Sequence, residues 1–307
     1  MNELTAAPEI REATVVSTCN RTELYLVAED TVEAETTALS VLSREAEIRP
    51  TELTSHLYSL RASDAARHLF QVTAGLDSMI IGEAEIQGQV KRAYELSLVE
   101  GATGPILNRL FRGAISAGGR ARNETGISEK GVSVPSVAVE LARRTLGDLS
   151  TSHALVIGAG ETADLVARAL VARGSQTVFV ANRHYDRAIG LAQRFGGAAV
   201  RIDDLPNQLE KADIVISATN SPHHLVGKAE LAQVLERRKA RPIHLVDLAV
   251  PRDIDPGCRD LEGVTLSDVD DIQSIVKRNT SGRESEARKA EHLIESELKR
   301  FERWLAS

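Results

Sequence analysis

The chain contains 307 residues, of which 42% are hydrophobic and 26% are charged, and its formal net charge is −7 at pH 7. This length is sufficient for two domains with separate cores, and two cysteines argue against a disulfide scaffold and suit a reducing cytosol. The acidic balance indicates no global affinity for nucleic acid, the histidines lack metal-ligand spacing, and we expect neither a signal peptide nor a membrane span.

The first predicted elements are two short strands that flank a cysteine. Residues 13–16 and 23–27 are rich in β-branched and apolar side chains, and Cys19 lies between them, beside the turn-prone Asn20. The guanidinium of Arg21 would favour the thiolate, which is the nucleophilic form of cysteine. The alternative is that Cys19 is a small buried hydrophobic residue, as free cysteines usually are, and these residues alone favour that alternative.

A mostly helical region follows and contains a loop of mixed composition. Gly75 and Gly82 frame a segment that is apolar but also carries Asp77, Ser78 and Glu83. Polar residues in such a loop are more typical of binding than of plain structure. We therefore expect a binding loop here.

The most basic stretch of the chain is residues 108–123. Such a run is usually a solvated helix face, but this one is also the best candidate for contact with a phosphate backbone. It has no acidic residue, and its arginines are Arg109, Arg112, Arg120 and Arg122.

A predicted strand at residues 153–157 leads into a glycine-rich turn and then a helix. In this dinucleotide-binding layout Gly158 permits the tight turn, Gly160 lets the backbone approach a pyrophosphate, and Ala163 allows the helix to pack closely on the strand. The start of the helix adds free N–H groups and a positive dipole end for phosphate. The cofactor-binding residues predicted in this turn are Gly158, Ala159, Gly160, Glu161, Thr162 and Ala163.

Further strands are predicted at residues 177–181, near Val200, at 214–217 and at 243–247, in alternation with helices. The series predicts a parallel sheet with helices on both faces. After residue 181 come Asn182 and Arg183, where NAD-binding chains usually have an acidic residue. Because that acid is missing and Arg183 can pair with a 2′-phosphate, the sequence favours NADPH over NADH. The alternative for Arg183 is a solvated loop residue.

Residues 268–307 are mostly charged, but apolar residues recur every three or four positions. This spacing predicts a long helix with one apolar face and a weak point at Gly282. The face would either dock on the protein's own body or form a connecting strut or dimer arm. Its residues are Ala287, Ala290, Ile294, Leu298, Phe301 and Leu305.

Taken together, these segments resemble the glutamyl-tRNA reductase family. The matching segments are Ser-Thr-Cys-Asn-Arg-Thr-Glu-Leu-Tyr at residues 17–25, His-Leu-Phe at 68–70, Gly-Leu-Asp-Ser-Met at 75–79, Gly-Ala-Gly-Glu-Thr at 158–162, Ala-Asn-Arg at 181–183 and Asp-Leu-Ala-Val-Pro-Arg-Asp-Ile at 247–254. They occur in the family's order and cover nearly the whole chain. The resemblance reverses the interpretation of Cys19 and makes it a nucleophile.

The resemblance implies a fold and a reaction. The fold is α/β, with an N-terminal α+β catalytic domain that has an incomplete ferredoxin-like sheet (residues 1–130), a Rossmann-like NADPH domain (131–268) and a long connecting helix (269–307). Cys19 would attack the ester of glutamyl-tRNA, release the tRNA and hold glutamate as a thioester. NADPH would reduce the thioester to glutamate-1-semialdehyde, the first step of porphyrin synthesis by the five-carbon route in the cytoplasm.

The resemblance also assigns roles to single residues. His68 would act as an acid or base, although a single histidine on a helix is as often structural. Arg21 would anchor a substrate carboxylate and favour the thiolate of Cys19. The substrate-binding residues that the resemblance implies are Thr18, Cys19, Asn20, Arg21, Ser78, Glu83, Ala84, Glu85 and Gln89.

Two parts of the family pattern have no counterpart in this sequence: a strand and helix before the cysteine, and a helical dimerisation domain after the long helix. We therefore expect a chain shortened at both ends, which leaves the family homodimer open. Glutamate-1-semialdehyde aminomutase is a further partner that the family implies. Two alternatives remain. One is a remnant that binds NADPH or tRNA without catalysis. The other is an oxidoreductase similar to shikimate dehydrogenase, which needs no cysteine nucleophile.

Overall fold

The computed structural model describes residues 1–18, 20–78, 80–83, 85–128, 133–181, 185–239, 241–278 and 284–307. The chain forms two compact units. The first comprises Met1–Gly131 and Thr280–Ser307, and the second comprises Val132–Asn279. The first unit is therefore built from two segments that are far apart in the sequence.

The helices and strands are numbered along the chain. The first unit begins with α1 (Asn2–Ala6), β1 (Ile10–Ser17), β2 (Thr22–Ala28), α2 (Thr31–Ala46), α3 (Pro50–Leu53), α4 (Ala62–Thr73), α5 (Glu85–Val99) and α6 (Pro105–Glu124). The second unit contains α7 (Val134–Leu146), β3 (His153–Ile157), α8 (Glu161–Val171), β4 (Gln176–Ala181), α9 (Tyr185–Phe195), β5 (Ala198–Arg201), α10 (Leu205–Lys211), β6 (Ile214–Ser217), α11 (Lys228–Arg237), β7 (Ile243–Asp247), β8 (Val264–Asp268) and α12 (Val269–Arg278). The first unit is completed by α13 (Glu284–Leu305).

The hairpin of the first unit consists of β1 and β2, which pair antiparallel up to Ser17 and Thr22. Because side chains alternate along a strand, one face of each strand is turned to the helices, and Val16 and Tyr25 are buried there. The ring of Tyr25 packs edge-on against Phe111 of α6, with 5.4 Å between the ring centroids. The two strands predicted around Cys19 are confirmed, and the helical core supports the hairpin beside its loop.

The C-terminal helix α13 belongs to the core of the first unit. Its residues Ala290, Ile294, Leu298 and Phe301 are buried in the same apolar cluster as Phe111. The predicted stripe therefore docks on the chain's own body, which was one of the two alternatives.

The predicted long C-terminal helix is confirmed in α13, but the C-terminal region differs from the sequence prediction in two respects. Instead of one helix over residues 268–307 there are α12 in the second unit and α13 in the first. Leu305, the last residue of the stripe, remains 50% exposed. Gly282 lies outside the described residues. Periodicity identified the buried face of α13.

The second unit is built on a parallel sheet of six strands in the order β5-β4-β3-β6-β7-β8. The predicted alternation of strands and helices is confirmed, and β3 to β7 include the short apolar runs read from the sequence. The strand order reverses between β3 and β6. In doubly wound sheets, ligands bind at the carboxyl ends of the strands at this point.

Candidate active site

The loop of the hairpin is closed by Thr18. Its backbone N–H donates to the carbonyl of Arg21 at 2.9 Å, and its hydroxyl accepts from the N–H groups of Asn20 and Arg21, both at 3.2 Å. Asn20 is exposed, whereas Arg21 is partly buried. Cys19, the predicted nucleophile, lies outside the described residues, but its neighbours on both sides are held in this turn.

Glu23 is the centre of a buried polar cluster at the start of β2. Its carboxylate accepts hydrogen bonds from the hydroxyl of Tyr25 at 2.6 Å and from that of Tyr58 at 2.9 Å. It also accepts from Nη1 of Arg21 at 3.0 Å, and Nε2 of His68 lies 2.7 Å from Oε1. Burial alone would raise the pKa of this carboxyl, but the hydrogen bonds from His68, Tyr25 and Tyr58 outweigh it and lower the pKa to about 2.

This environment fixes the tautomer and orientation of His68. An ionised carboxylate has no proton to donate, so Nε2 carries the proton, and in the neutral ring Nδ1 is the free acceptor. The hydroxyl of Tyr58 lies 3.1 Å from Nε2, and its ring packs edge-on to the imidazole at 5.5 Å. His68 thus meets the orientational requirement of a general acid or base.

Sequence reasoning missed Glu23 and Tyr58. Glu23 carried a usable signal, because an acid and a tyrosine two residues apart in a strand share one face, and here that face is buried. Tyr58 carried none. It is 35 residues from Glu23 along the chain, and only the folded backbone brings them together.

Arg21 connects the hairpin loop to the loop that follows α4. Its side chain is only 13% exposed, and Nη1 donates to Oδ2 of Asp77 at 2.7 Å as well as to Glu23. Nη2 donates to the backbone carbonyl of Asp77. Burial would lower the pKa of the guanidinium, but the carboxylates of Asp77 and Glu23 outweigh this and raise it. The predicted roles of Arg21 toward substrate and thiolate remain predictions.

The loop after α4 is closed by its two glycines. The N–H of Gly82 donates to the carbonyl of Gly75 at 2.9 Å, and both residues have positive φ. A Cβ on Gly82 would lie 2.2 Å from the carbonyl oxygen of Ile127, so no other residue fits. Within the loop, Ser78 donates to Glu83, whose pKa is raised because burial outweighs this bond and the charge of Arg21. Ser78 and Glu83 are therefore brought together close to Arg21.

The remaining predicted substrate residues lie at or near the start of α5. Ala84 lies outside the described residues. Glu85 is the first residue of α5, and Gln89, one turn further on, shares its face and is partly buried. Their contact with substrate remains a prediction.

The glycine turn after β3 has the geometry of a phosphate cradle. Gly158 has a φ of +119°, and a Cβ there would lie 2.3 Å from the carbonyl oxygen of Ala218. Gly160 precedes the first turn of α8, and a Cβ there would meet no atom of the described residues within 4 Å. Ala163 is fully buried, as expected for the third small position. Asn182 and Arg183 lie outside the described residues, so the preference for a 2′-phosphate remains a prediction.

Asp253 holds the segment that faces Gly158. Its fully buried carboxylate accepts from the hydroxyl of Ser217 at 2.6 Å, from the N–H of Thr219 at 3.0 Å and from the hydroxyl of Thr219 at 2.6 Å. Ala218, whose carbonyl approaches Gly158, lies between these two residues. Asp253 was part of a matching segment in the sequence, but its role emerges only from these contacts.

The described residues contain no cluster of histidine, cysteine or acidic side chains that could hold a metal ion, and no helix with the length and apolarity to cross a bilayer. Cys258 is free and fully buried, and burial raises the pKa of its thiol to about 11. A protonated, inaccessible thiol is a poor nucleophile.

In a comparison with known proteins, each of the two units matches a known domain family. Residues 1–125 match "Glutamyl-tRNAGlu reductase, N-terminal domain", and residues 140–275 match "Shikimate / quinate 5-dehydrogenase". The glutamyl-tRNA reductase of Pelotomaculum thermopropionicum is 45% identical over 303 residues, which is 99% of this chain and 68% of that protein. The chain belongs to the glutamyl-tRNA reductase family. This confirms the resemblance inferred from the sequence.

Other members of the glutamyl-tRNA reductase family agree with this assignment. The protein of Magnetococcus marinus is 44% identical over 305 residues, covering 99% of this chain and 72% of its own length. The solved structure of glutamyl-tRNA reductase from Methanopyrus kandleri matches 99% of this chain and 73% of that chain, with 38% identity and a TM-score of 0.50.

The first unit decides between the reductase family and the alternative of a shikimate dehydrogenase, and it favours the reductase family. The dehydrogenase match covers residues 140–275 only, so it describes the cofactor unit. The unit with the hairpin and the Glu23 cluster matches the reductase domain instead.

The arginine run of α6 is largely engaged within the first unit of this reductase-family chain. Arg120 pairs with Glu124 at 2.7 Å and also contacts Glu297 of α13. Arg112 donates to the hydroxyl of Tyr94, Arg109 lies over the ring of Trp304, and both terminal nitrogens of Arg122 are buried. The contact of this run with a phosphate backbone remains a prediction, and these internal contacts would compete with it.

Proposed function

We propose that this chain is an NADPH-dependent glutamyl-tRNA reductase that converts glutamyl-tRNA to glutamate-1-semialdehyde and free tRNA. The observation that carries the proposal is 45% identity over 99% of the chain to a protein of that name. The product feeds the synthesis of 5-aminolevulinate and porphyrins by the five-carbon route. The reaction would take place in the cytoplasm, with glutamate-1-semialdehyde aminomutase as a second partner.

The first half of the reaction is acyl transfer to Cys19. The thiolate attacks the ester carbonyl, the bond to the ribose oxygen breaks, and glutamate remains on sulfur as a thioester. The departing oxygen needs a proton, and His68 is proposed to take the proton of the Cys19 thiol at Nδ1 and to pass it to that oxygen. Glu23 supports this role because it keeps Nε2 protonated and leaves Nδ1 as the nitrogen that exchanges protons.

The glutamyl group carries one carboxylate and one ammonium, and the polar cluster offers both kinds of partner. The guanidinium of Arg21 suits the carboxylate, because guanidinium and carboxylate geometries match. Glu83 and the hydroxyl of Ser78 suit the ammonium. The full set proposed for substrate binding is Thr18, Cys19, Asn20, Arg21, Ser78, Glu83, Ala84, Glu85 and Gln89.

The glycine turn is proposed to bind the pyrophosphate of NADPH. The space left open at Gly160 by the described residues and the positive dipole end at the start of α8 support this, because both favour the close approach of an anion. When bound there, NADPH supplies the hydride that reduces the thioester. The cofactor residues proposed are Gly158, Ala159, Gly160, Glu161, Thr162, Ala163, Asn182 and Arg183.

The acyl step can be tested without the cofactor. Intact-protein mass spectrometry after mixing with charged glutamyl-tRNA, in the absence of NADPH, is expected to detect a covalent glutamyl adduct on the parent chain. Cys19→Ser is expected to abolish the adduct, and Cys258→Ser, which removes the buried thiol, is the matched control that retains it. An adduct that persists in Cys19→Ser would reject the thioester mechanism. A folded parent that binds NADPH but forms no adduct would favour the non-catalytic remnant.

A further inference from the structure

Asp77 contacts the terminal nitrogens of the Arg21 guanidinium. Its carboxylate accepts a hydrogen bond from Nη1 at 2.7 Å, and its backbone carbonyl accepts one from Nη2. A single residue therefore contacts both terminal nitrogens of the guanidinium. The guanidinium is mostly buried, whereas the side chain of Asp77 is 50% exposed. Asp77 therefore lies between Arg21 and solvent.

The two acidic partners of Arg21 differ in how firmly they are held. Glu23 has 8% exposure and is also bound by Tyr25, Tyr58 and His68, so its departure would leave the buried hydroxyl of Tyr25 and the mostly buried imidazole of His68 without this partner. Within the part of the chain that the structure describes, the carboxylate of Asp77 has no hydrogen-bond partner other than Arg21. A half-exposed carboxylate can be rehydrated on leaving, so Asp77 is the exchangeable partner.

We propose that Asp77 competes with the side-chain carboxylate of the glutamyl group for Arg21 and thereby sets the selectivity of the site. This inference rests on the proposed function. Nη1 of Arg21 already donates to the Asp77 carboxylate, so an incoming carboxylate that pairs with this nitrogen must displace Asp77 from it. The backbone contact of Arg21 to Asp77 keeps the loop in place while the side chain turns away.

The charge balance of the cluster explains why this competition is selective. Arg21 is paired with both Glu23 and Asp77, and its charge also acts on Glu83, so a simple anion must displace Asp77 and also meets repulsion from the remaining acids. A glutamyl group carries an ammonium as well, which Glu83 can accept. Asp77 thus weakens the binding of ligands that carry a carboxylate but no ammonium, so the site gains specificity by disfavouring the wrong ligand.

The test measures binding, so that catalysis is not involved. The probe is an adenosine whose ribose carries glutamate through an amide, which the thiol cannot cleave readily. By calorimetry, Asp77→Asn is expected to bind this probe about two- to fivefold more tightly than the parent, the range for a half-exposed ion pair. Asp64→Asn, which alters an exposed aspartate paired with Arg67 at 2.9 Å, is the matched control and should bind like the parent.

A second probe identifies the group that Asp77 opposes. An adenosine carrying 2-aminobutyrate keeps the ammonium but lacks the side-chain carboxylate, so Asp77→Asn should bring it no gain. If Asp77→Asn binds both probes more weakly than the parent does, Asp77 holds the ammonium. If Asp77→Asn and the parent bind the glutamyl probe equally, Asp77 does not compete for Arg21. Either result overturns the inference.

Failure of the inference is distinct from failure of the proposed function. The parent chain could form the Cys19 adduct and still bind the probe with the same affinity as Asp77→Asn. That result would reject the inference about Asp77 and leave the proposed function intact. A parent that binds neither probe and forms no adduct loses both. Asp77→Ser repeats the measurement if the asparagine variant proves less stable in a thermal melt.

Discussion

Glu23 illustrates how a buried charge can organise a site without touching the reacting atoms. Tyr25, Tyr58, His68 and Arg21 converge on its two oxygens, and together they offset the cost of burying the carboxylate. The residue that sequence reasoning singled out, His68, depends on this carboxylate for its tautomer.

The lowered pKa of Glu23 predicts a pH-dependent contribution to stability. The folded-state pKa is about 2, below the ordinary value near 4.5, so the stabilisation is complete above about pH 4.5 and is lost as the pH falls toward 2. The difference corresponds to about 3 kcal/mol. Urea unfolding followed by fluorescence of Trp304, the single tryptophan, reports on the first unit.

Comparison of the parent with Glu23→Gln separates the pH-dependent stabilisation by Glu23 from that of the other acidic groups. The free energy of unfolding of the parent should exceed that of the variant most at neutral pH, and the gap should narrow between pH 4.5 and pH 3. A gap that stays constant over this range would contradict the lowered pKa.

At this scale the sequence was informative where the chemistry is local. The loop with Asp77, Ser78 and Glu83 was identified from its residue types, whereas Cys19 was identified through the resemblance to the reductase family, because its neighbours alone favoured a buried hydrophobic role. The convergence of Tyr58 and His68 on Glu23 depends on how α4 packs beside the hairpin, and no local pattern encodes that packing.

At the scale of elements, the turn between β3 and α8 contains two glycines that are required for different reasons. Gly158 is required by the protein, since the carbonyl of Ala218 lies where a Cβ would be, and Asp253 holds Ser217 and Thr219 on either side of it. Gly160 has an ordinary φ of −88° and open space around it. Nothing in the described residues excludes a side chain at Gly160.

These two positions give a paired prediction. Gly158→Ala should destabilise the second unit by about 1–3 kcal/mol, because the strain cannot relax, and should weaken NADPH binding as a consequence. Gly160→Ala should leave the melting temperature unchanged but weaken NADPH binding by about tenfold, or about 1.4 kcal/mol, since a methyl group would hold the pyrophosphate away. NADPH fluorescence titration and thermal unfolding measure the two effects. Parent-like binding by Gly160→Ala would mean that the pyrophosphate does not approach this glycine.

At the scale of the whole molecule, α13 completes a core that begins in the N-terminal segment. Its periodic stripe was predictable because a helix repeats every 3.6 residues. Its partners α4 and α6 were not, because spacing along a helix carries no information about a helix more than 150 residues earlier.

The contribution of α13 can be measured with two leucines. Leu298 is 1% exposed within the core, so Leu298→Ala should lower the free energy of unfolding of the first unit by about 2–5 kcal/mol. Leu305→Ala removes the same atoms from a half-exposed position and should cost at most about 0.5 kcal/mol. Urea unfolding followed by Trp304 fluorescence gives both values. Equal losses for the two variants would contradict the packing of α13.

The division of the first unit between two distant segments has a consequence for synthesis on the ribosome. A nascent chain exposes the hairpin and α6 early, but the apolar surface that Ile294, Leu298 and Phe301 cover stays open until translation has passed them. The middle of the chain, which needs no later residues, can fold in the interval. The unit translated first is therefore the one finished last, and during that delay it is the part that a chaperone would have to shield.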